Sequence, residues 1–348
     1  MENDERVSEL RAKLKEAMAQ FIGPFEHYGQ ITGAIKNLEA VFFTLTGLDP
    51  FSRPSGYDGE SRLDQGVAIA PNFAGMCVRE FIRTWHFIKG MYLGIKAAAD
   101  NFPGQRLHVL YAGCGPFAPL FIPLTACFSP REIGFTLLDI HPQSIECVEK
   151  LIAGLGISGY VDDCRVADAL RFNPPPGKMY HLAVTETMNQ ALRKEPQVAI
   201  TRHLFPFLYS QGIFIPQRVT VSAAVTDYDR QFPERQAAGP EAGDQNPLDK
   251  AVHPPRIDLG TIFELIPGQE DYPAATFHIP PLKNKENHLL LLTEITVFDG
   301  LVLTEGQCSL TLPYKYGRLH KLPPAERYVA RYEVSSLPGI IIAPAQAR

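Results

Sequence analysis

The sequence predicts an α/β fold in which a central parallel sheet follows N-terminal helices and precedes a C-terminal antiparallel, barrel-like β unit. Between residue 107 and about residue 216, short apolar strands alternate with helical patterns, which is typical of a parallel sheet with crossover helices. Upstream of this region, apolar residues recur at helical spacing. After residue 220 the helical patterns largely stop, and segments rich in β-forming residues replace them.

The chain of 348 residues is long enough for two structural units and a large core. We expect a helical and lid region over residues 1–104, an α/β domain over residues 105–216 and a β-rich domain over residues 217–348. Within the last, the polar and proline-rich stretch of residues 230–258 predicts an insertion over the surface. No internal repeat is visible in the sequence.

The N-terminal region divides into three parts. Residues 5–48 have apolar positions at helical spacing, interrupted by a Gly-Pro pair. Residues 48–62 are rich in Pro, Gly, Ser and Asp, which indicates a loop or lid. Residues 75–101 predict one long amphipathic helix that leads to the first strand of the sheet.

Composition and charge exclude several classes of function. The net charge of −5 and the absence of a Lys/Arg run argue against a nucleic-acid surface. The six cysteines form no CxxC pair, so we expect reduced thiols and no metal site. The first twenty residues are highly charged and no apolar run reaches membrane-spanning length. We therefore expect a cytoplasmic protein without membrane or nucleic-acid partners.

A glycine turn follows the first strand of the α/β region. In the segment "VLYAGCGPF", Gly113 and Gly115 come directly after the strand and before a predicted helix. Glycines let the backbone approach a ligand closely, and the start of a helix offers free amides. The motif alone is equally compatible with a purely structural turn.

Two acidic residues follow the next two strands. Asp139 ends the second strand, where a carboxylate can bind both hydroxyls of a ribose. Asp168 ends the third strand, where it can accept a hydrogen bond from an adenine amino group. An aspartate at a strand end is also often only a helix cap. Because three such features follow three successive strands, the sequence favours a nucleoside site, and His141 is expected to line it.

This order of motifs resembles the class I S-adenosylmethionine-dependent methyltransferases. The resemblance implies a Rossmann-like methyltransferase sheet that binds S-adenosyl-L-methionine. The cofactor-binding residues it implies are Tyr111, Gly113, Gly115, Asp139, His141, Asp168 and Ala169. Tyr111 stands where an acid is common in the family, and an aromatic residue beside a core strand can equally be part of the core.

The segment "TETMNQALRKE" places two glutamates, Glu186 and Glu195, nine residues apart. On a straight helix they would point to opposite faces, so they converge only if the chain bends between them. The segment resembles the double-glutamate hairpin of the protein arginine methyltransferases, in which two glutamates at this spacing grip the substrate guanidinium. The resemblance implies a catalytic role for both residues and places Glu186 beside the cofactor.

The resemblance to this family extends to both sides of the glutamates. Upstream, Arg83 in "REFIRTWHFIKGM" matches the arginine that meets the carboxylate of the cofactor. Downstream, "GIFIPQRVTVSAAV" is similar to the strand that leads into the β-barrel. The family's Thr-His-Trp loop has no counterpart, and the corresponding region reads "SLTLPYKYG".

Several functions are compatible with these residues. Two carboxylates can hold a guanidinium or another cationic nitrogen through charge-assisted hydrogen bonds, which predicts nitrogen methylation of a small-molecule or peptide substrate. In a structural alternative, Glu195 merely precedes a helix that begins at Pro196. The Gly-Cys-Gly-Pro turn also resembles nicotianamine-synthase-like enzymes, which transfer the aminocarboxypropyl arm and release methylthioadenosine. A non-catalytic scaffold is the third alternative, and a homodimer is a candidate assembly.

Overall fold

The computed structural model describes residues 2–52, 55–227, 256–282 and 287–345. The insertion predicted at residues 230–258 lies outside the described residues, except for its last three positions.

Two helices begin the chain, as the sequence predicts. They are α1 (Glu2–Ile22) and α2 (Tyr28–Thr46). Helix α2 ends at Gly47, whose left-handed φ of 70° lets its N–H donate to the carbonyl of Phe43. The apolar faces of both helices belong to the same core as the central sheet.

A β-hairpin begins at the end of the predicted loop of residues 48–62, and the predicted long helix is broken. The hairpin consists of β1 (Ser61–Leu63) and β2 (Gly66–Ala68), and it precedes α3 (Pro71–Met76) and α4 (Phe81–Asn101). The prediction of one continuous helix over residues 75–101 was therefore wrong.

The break between α3 and α4 has a physical cause at Glu80. This residue has a ψ of 74°, outside the helical range. Its carboxylate accepts hydrogen bonds from the N–H and the hydroxyl of Ser309, at 2.8 and 2.9 Å, and from Arg83 at 2.5 Å. These contacts with a distant part of the chain outweigh the local preference for a helix.

The centre of the molecule is a five-stranded parallel sheet. Its strands are β3 (Leu107–Ala112), β4 (Ile133–Asp139), β5 (Val161–Val166), β6 (Tyr180–Thr185) and β7 (Leu208–Ile215). The order is β5-β4-β3-β6-β7, and all four pairings are parallel. The direction of strand succession reverses between β3 and β6, and ligands bind at the carboxyl ends of strands at such a point.

Two helices connect strands of this sheet. Helix α5 (Pro142–Leu155) follows β4 and helix α6 (Gln197–Leu204) lies between β6 and β7. The helix predicted after β3 is absent, and only a 3-10 turn at Ile122–Ala126 occurs there. Prolines at positions 116, 119 and 123 remove amide donors and restrict the backbone, which prevents a regular helix. The glycine turn is therefore not followed directly by the start of a helix, contrary to the prediction.

The C-terminal part is antiparallel, as predicted. Its strands are β8 (Arg218–Thr226), β9 (Ile257–Leu265), β10 (Ala275–His278), β11 (His288–Phe298), β12 (Leu301–Leu303), β13 (Tyr314–Arg318), β14 (Arg327–Glu333) and β15 (Gly339–Pro344). One sheet has the order β12-β11-β8-β9 with β13 also paired to β11, and a second has the order β10-β14-β15.

The apolar core is continuous from the N-terminal helices through the parallel sheet to the β unit. Across the parts of the chain that the structure describes, no helix is long and apolar enough to cross a membrane.

Candidate active site

A cavity lies at the carboxyl ends of β3, β4, β5 and β6. Its volume, including the part open to solvent, is about 1150 Å³. The structure brings all ten residues singled out in the sequence to its wall. They are Arg83, Tyr111, Gly113, Gly115, Asp139, His141, Asp168, Ala169, Glu186 and Glu195. Convergence follows from the parallel sheet, because the ends of neighbouring parallel strands meet at one edge.

The glycine turn after β3 is shaped by left-handed backbone conformations. Gly113 has a φ of 71° and Gly115 a φ of 63°, values that favour glycine. The N–H of Gly113 donates to the carbonyl of Leu138 at 2.9 Å, which holds the turn against the end of β4. A Cβ at Gly113 would lie 2.5 Å from Cγ2 of Thr187, so glycine also allows close contact with the segment after β6.

Asp139 is the last residue of β4, and two backbone amides fix its carboxylate. Oδ2 accepts the N–H of Gly115 at 2.8 Å, and Oδ1 accepts the N–H of His141 at 2.9 Å. Each carboxylate oxygen has two lone pairs, so acceptor capacity remains for a ligand hydroxyl, while Nδ1 of His141 also lies 3.4 Å from Oδ1. The side chain thus has both a structural role and a free side that lines the cavity.

Asp168 and Ala169 form the wall of the cavity beyond β5. Oδ1 of Asp168 accepts the N–H of Leu170 at 2.9 Å, so this aspartate caps its own turn. Its Oδ2 lies 3.7 Å from Nε of Arg171. The turn-capping role and the predicted contact with an amino group use different lone pairs, so the same side chain can do both.

Tyr111 lies in the middle of the buried wall. Its side chain is 3% exposed on β3, and burial raises the pKa of its phenol well above the ordinary value. The phenol is therefore neutral, and the ring contributes a rigid apolar surface to both the core and the cavity.

Ser144 lines the same cavity, and the sequence had not singled it out. It stands in the first turn of α5, is 1% exposed, and its hydroxyl has no hydrogen-bond partner among the described residues. A buried hydroxyl without a partner is rare and calls for an explanation. Serine near a helix start normally indicates a cap, which is why the sequence pattern does not reveal this role.

Arg83 and Glu186 form an ion pair at the other end of the cavity. Glu186 follows β6 directly, and its Oε2 accepts a hydrogen bond from Nη2 of Arg83. The second carboxylate oxygen, Oε1, is buried and has no partner in the described part of the chain. Burial raises the pKa of Glu186, although the charge of Arg83 opposes the shift. One oxygen of this buried carboxylate is thus left for a donor that the protein itself does not supply.

Glu195 is the second carboxylate at this end. Its side chain is 6% exposed, and its carboxylate accepts no hydrogen bond from any residue of the described ranges, whereas its backbone N–H donates to the carbonyl of Arg193 at 2.8 Å. Burial, together with the negative charge of Glu186, raises the pKa of Glu195 to about 8 against the opposing charges of Arg83 and Lys194. The two glutamates therefore lie close enough to repel each other, and a cation between them would relieve that repulsion.

The chain bends sharply between the two glutamates. Ala191 and Leu192 both have a φ of 53°, and Lys194 has a φ of 69°. Each left-handed non-glycine residue costs roughly 1–2 kcal/mol, so the bend must be stabilised from outside.

The β unit supplies most of this support. The hydroxyl of Thr293 on β11 accepts the N–H of Ala191 at 2.9 Å, and the hydroxyl of Tyr332 on β14 donates to the carbonyl of Leu192 at 2.8 Å. The N–H of Lys194 donates to the carbonyl of Pro338 at 2.8 Å. The antiparallel sheets thus act as the frame for the glutamate pair.

Gln197 joins the two ends of the bend, and it too was missed in the sequence. The side chain is fully buried, and its Oε1 accepts the N–H of Thr187 at 2.9 Å while its Nε2 donates to the carbonyl of Thr185 at 3.2 Å. It therefore holds both neighbours of Glu186 from a position two residues after Glu195. An amide at the start of an amphipathic helix has no sequence signature for such a role.

Comparisons with known proteins give a likeness of fold only. No protein-family model matches the sequence, and no curated protein matches it either. Among solved structures, the chain is similar to the Trypanosoma brucei PRMT1 enzyme-prozyme heterotetrameric complex with AdoHcy, at 10% identity and a TM-score of 0.46. The likeness covers 75% of this chain and 87% of the other. At this level of similarity, the function must be inferred from the cavity itself.

Proposed function

We propose that the protein is an S-adenosyl-L-methionine-dependent methyltransferase that methylates a guanidino or amine nitrogen of a small-molecule or peptide substrate. The observation that carries this proposal is the convergence of two carboxylates, the buried Glu195 and the mostly buried Glu186, in the cavity that Asp139 also lines. Burying two like charges is unfavourable unless a cation joins them.

The residues of the cavity fit the proposed cofactor. Asp139 offers fixed acceptor oxygens to ribose hydroxyls, and the unpartnered hydroxyl of Ser144 can reach a polar atom of a nucleoside. At the other end, the buried guanidinium of Arg83 suits an amino-acid carboxylate. When bound, S-adenosylmethionine would supply an electrophilic methyl group to the acceptor nitrogen, with S-adenosylhomocysteine as the leaving group.

The two glutamates bind and orient the acceptor nitrogen. Glu186 is fixed by Arg83 through Oε2, which leaves Oε1 to accept an N–H of the acceptor. Glu195 has a raised pKa and holds a proton over much of the neutral range when no acceptor is bound. A cationic acceptor replaces that proton, and the ionised carboxylate can later take the proton that the acceptor nitrogen loses. Because both groups are buried, these interactions are stronger than they would be in water.

The first test measures cofactor binding and product. Calorimetry should show that S-adenosylmethionine and S-adenosylhomocysteine bind, and a panel of guanidino and amine metabolites and short peptides should be screened with isotope-labelled cofactor by mass spectrometry. Formation of S-adenosylhomocysteine with a labelled acceptor supports the proposal. Release of methylthioadenosine would instead indicate aminocarboxypropyl transfer, and failure of both ligands to bind would indicate a scaffold.

The second test addresses the glutamates. Glu186→Gln and Glu195→Gln should each lower turnover by about 100-fold or more, the usual effect of removing a positioned polar group, while cofactor affinity changes little. Glu146→Gln is the matched control, since this glutamate is exposed on α5. Unchanged turnover in Glu195→Gln would show that Glu195 has no catalytic role and merely precedes helix α6.

A further inference from the structure

The hairpin of β1 and β2, residues 61–68, lies over the cavity and touches both of its ends. Leu63, Val67 and Ala68 line the cavity directly. The hairpin has only three paired positions in its ladder. A two-stranded hairpin of this size is marginal by itself in water, so its position depends on its contacts with the rest of the protein.

One contact joins the hairpin to the end of the cavity that Asp139 lines. The hydroxyl of Ser61 lies 3.1 Å from Nε2 of His141. The backbone N–H of His141 in turn donates to the carboxylate of Asp139. A second contact, between Asp64 and Arg171 at 3.2 Å, is an exposed ion pair, which contributes little to stability. Ser61 is therefore the specific link on this side.

Contacts on the other side join the hairpin to the residues beside Glu195. The N–H of Val67 donates to the carbonyl of Lys194 at 2.8 Å, and Nζ of Lys194 lies 3.1 Å from Glu60. At Gly66, where φ is 143°, an added Cβ would lie 2.9 Å from the backbone nitrogen of Pro196. The tip of the hairpin thus packs directly on the residues before and after Glu195, whose side chain is 6% exposed.

We propose that Ser61 and Val67 are positioning residues that couple the two ends of the site through the hairpin. A nucleoside that fixes His141 holds Ser61, the hairpin stays closed, and Val67 then holds the Lys194 carbonyl and with it the position of Glu195. The identity of the nucleoside ligand rests on the function proposed above. The coupling requires that the ligand bind the closed hairpin more tightly than the open one, which the contact between Ser61 and His141 allows.

Adenosine is the probe that tests this coupling, because it can fill the nucleoside end without reaching Glu195. Hydrogen exchange of the Val67 amide should slow by about tenfold when adenosine binds, the effect of roughly one net hydrogen bond. In Ser61→Ala the slowing should be lost, while calorimetry still shows adenosine binding. Ser158→Ala is the control, because Ser158 is exposed and lies before β5, at the opposite end of that strand from Asp168.

A second readout follows Glu195 itself. Carboxyl NMR of Gly66→Ala should show the pKa of Glu195 falling towards the ordinary value, since a hairpin lifted from Lys194 and Pro196 lets water reach the carboxylate. If adenosine binds but hydrogen exchange of the Val67 amide does not slow, and the pKa of Glu195 does not fall in Gly66→Ala, the coupling is wrong. The proposed function is then unaffected. If adenosine does not bind at all, the nucleoside site and the coupling both fail.

Discussion

At the scale of single residues, the site depends on polar atoms that are buried before any ligand arrives. Glu186 and Ser144 each present an unpartnered atom to the cavity, and the carboxylate of Glu195 is buried without a hydrogen bond to the described residues. Groups of this kind lower the stability of a protein unless a function maintains them. Each therefore predicts a substitution that stabilises the fold while it impairs the site.

Glu195→Gln should stabilise the protein at alkaline pH. The folded-state pKa of about 8 lies above the ordinary value of 4.5, so between these pH values the folded protein binds more protons than the unfolded chain. Stability is then lost as pH rises through this window. The gain in free energy of unfolding of Glu195→Gln over the parent protein should be larger at pH 8 than at pH 5 by on the order of 3 kcal/mol.

Urea denaturation of Glu195→Gln and the parent protein at the two pH values measures this difference. Glu146→Gln, at an exposed site, should leave the pH dependence unchanged. If the free energy of unfolding depends on pH in the same way for Glu195→Gln and the parent protein, the pKa of Glu195 is not raised.

Ser144→Ala should separate binding from stability. Its hydroxyl has no partner among the described residues, so removal should leave the free energy of unfolding unchanged or slightly raised. Adenosine affinity should fall by about three- to tenfold, the effect of one net hydrogen bond. Thr46→Val is the control, because the hydroxyl of Thr46 is buried but bonded to Phe42 and Leu48, away from the cavity. That control should destabilise the fold and leave adenosine affinity unchanged, and a loss of stability in Ser144→Ala would contradict the assignment.

At the scale of elements, the strained bend between the glutamates depends on the β unit. Tyr332→Phe removes the donor to the carbonyl of Leu192, a buried group, and should destabilise the protein by about 1–2 kcal/mol. Because the bend then loses its support, turnover should also fall while cofactor affinity is kept. Tyr328→Phe is a close control on the same strand, since its hydroxyl donates to the carbonyl of Pro323 at 2.9 Å away from the bend. Equal losses of turnover in the two variants would show that the effect comes from general destabilisation.

The same scale shows which features the sequence allowed us to predict. The parallel strands and the acids at their ends were predictable, because buried apolar runs mark the strands and parallel strands end at one edge. The helix after β3 was predicted wrongly because it was inferred from the alternation of strands and helices, although Pro119 and Pro123 prevent it. The hairpin of β1 and β2 was missed because three-residue strands show no periodicity. The roles of Gln197 and Ser61 depend on partners distant in sequence, so no local pattern indicates them.

At the scale of the whole molecule, helix α4 joins the parts that build the site. Its first turn carries Arg83, and its glycines allow close contact with neighbouring elements. A Cβ at Gly94 would lie 2.9 Å from Ile215 on β7, and a Cβ at Gly90 would lie 2.6 Å from Val297 on β11. The parallel sheet and the β unit therefore both pack on one helix, and the contact at Gly90 sets the distance between that helix and the frame of the glutamate pair.

Gly90→Ala should destabilise the protein by about 1–3 kcal/mol, because the added methyl group meets a side chain on a rigid strand in a filled core. Gly33→Ala is the matched control in α2. Nothing lies within 4 Å of the Cβ position at Gly33, so alanine there should stabilise the helix by up to about 1 kcal/mol. Thermal unfolding followed by circular dichroism measures both changes. If α4 joins the sheet and the β unit into one cooperative structure, Gly90→Ala should lower the midpoint temperature of a single unfolding transition. Two separate transitions would show that the β unit unfolds independently of the domain that it supports.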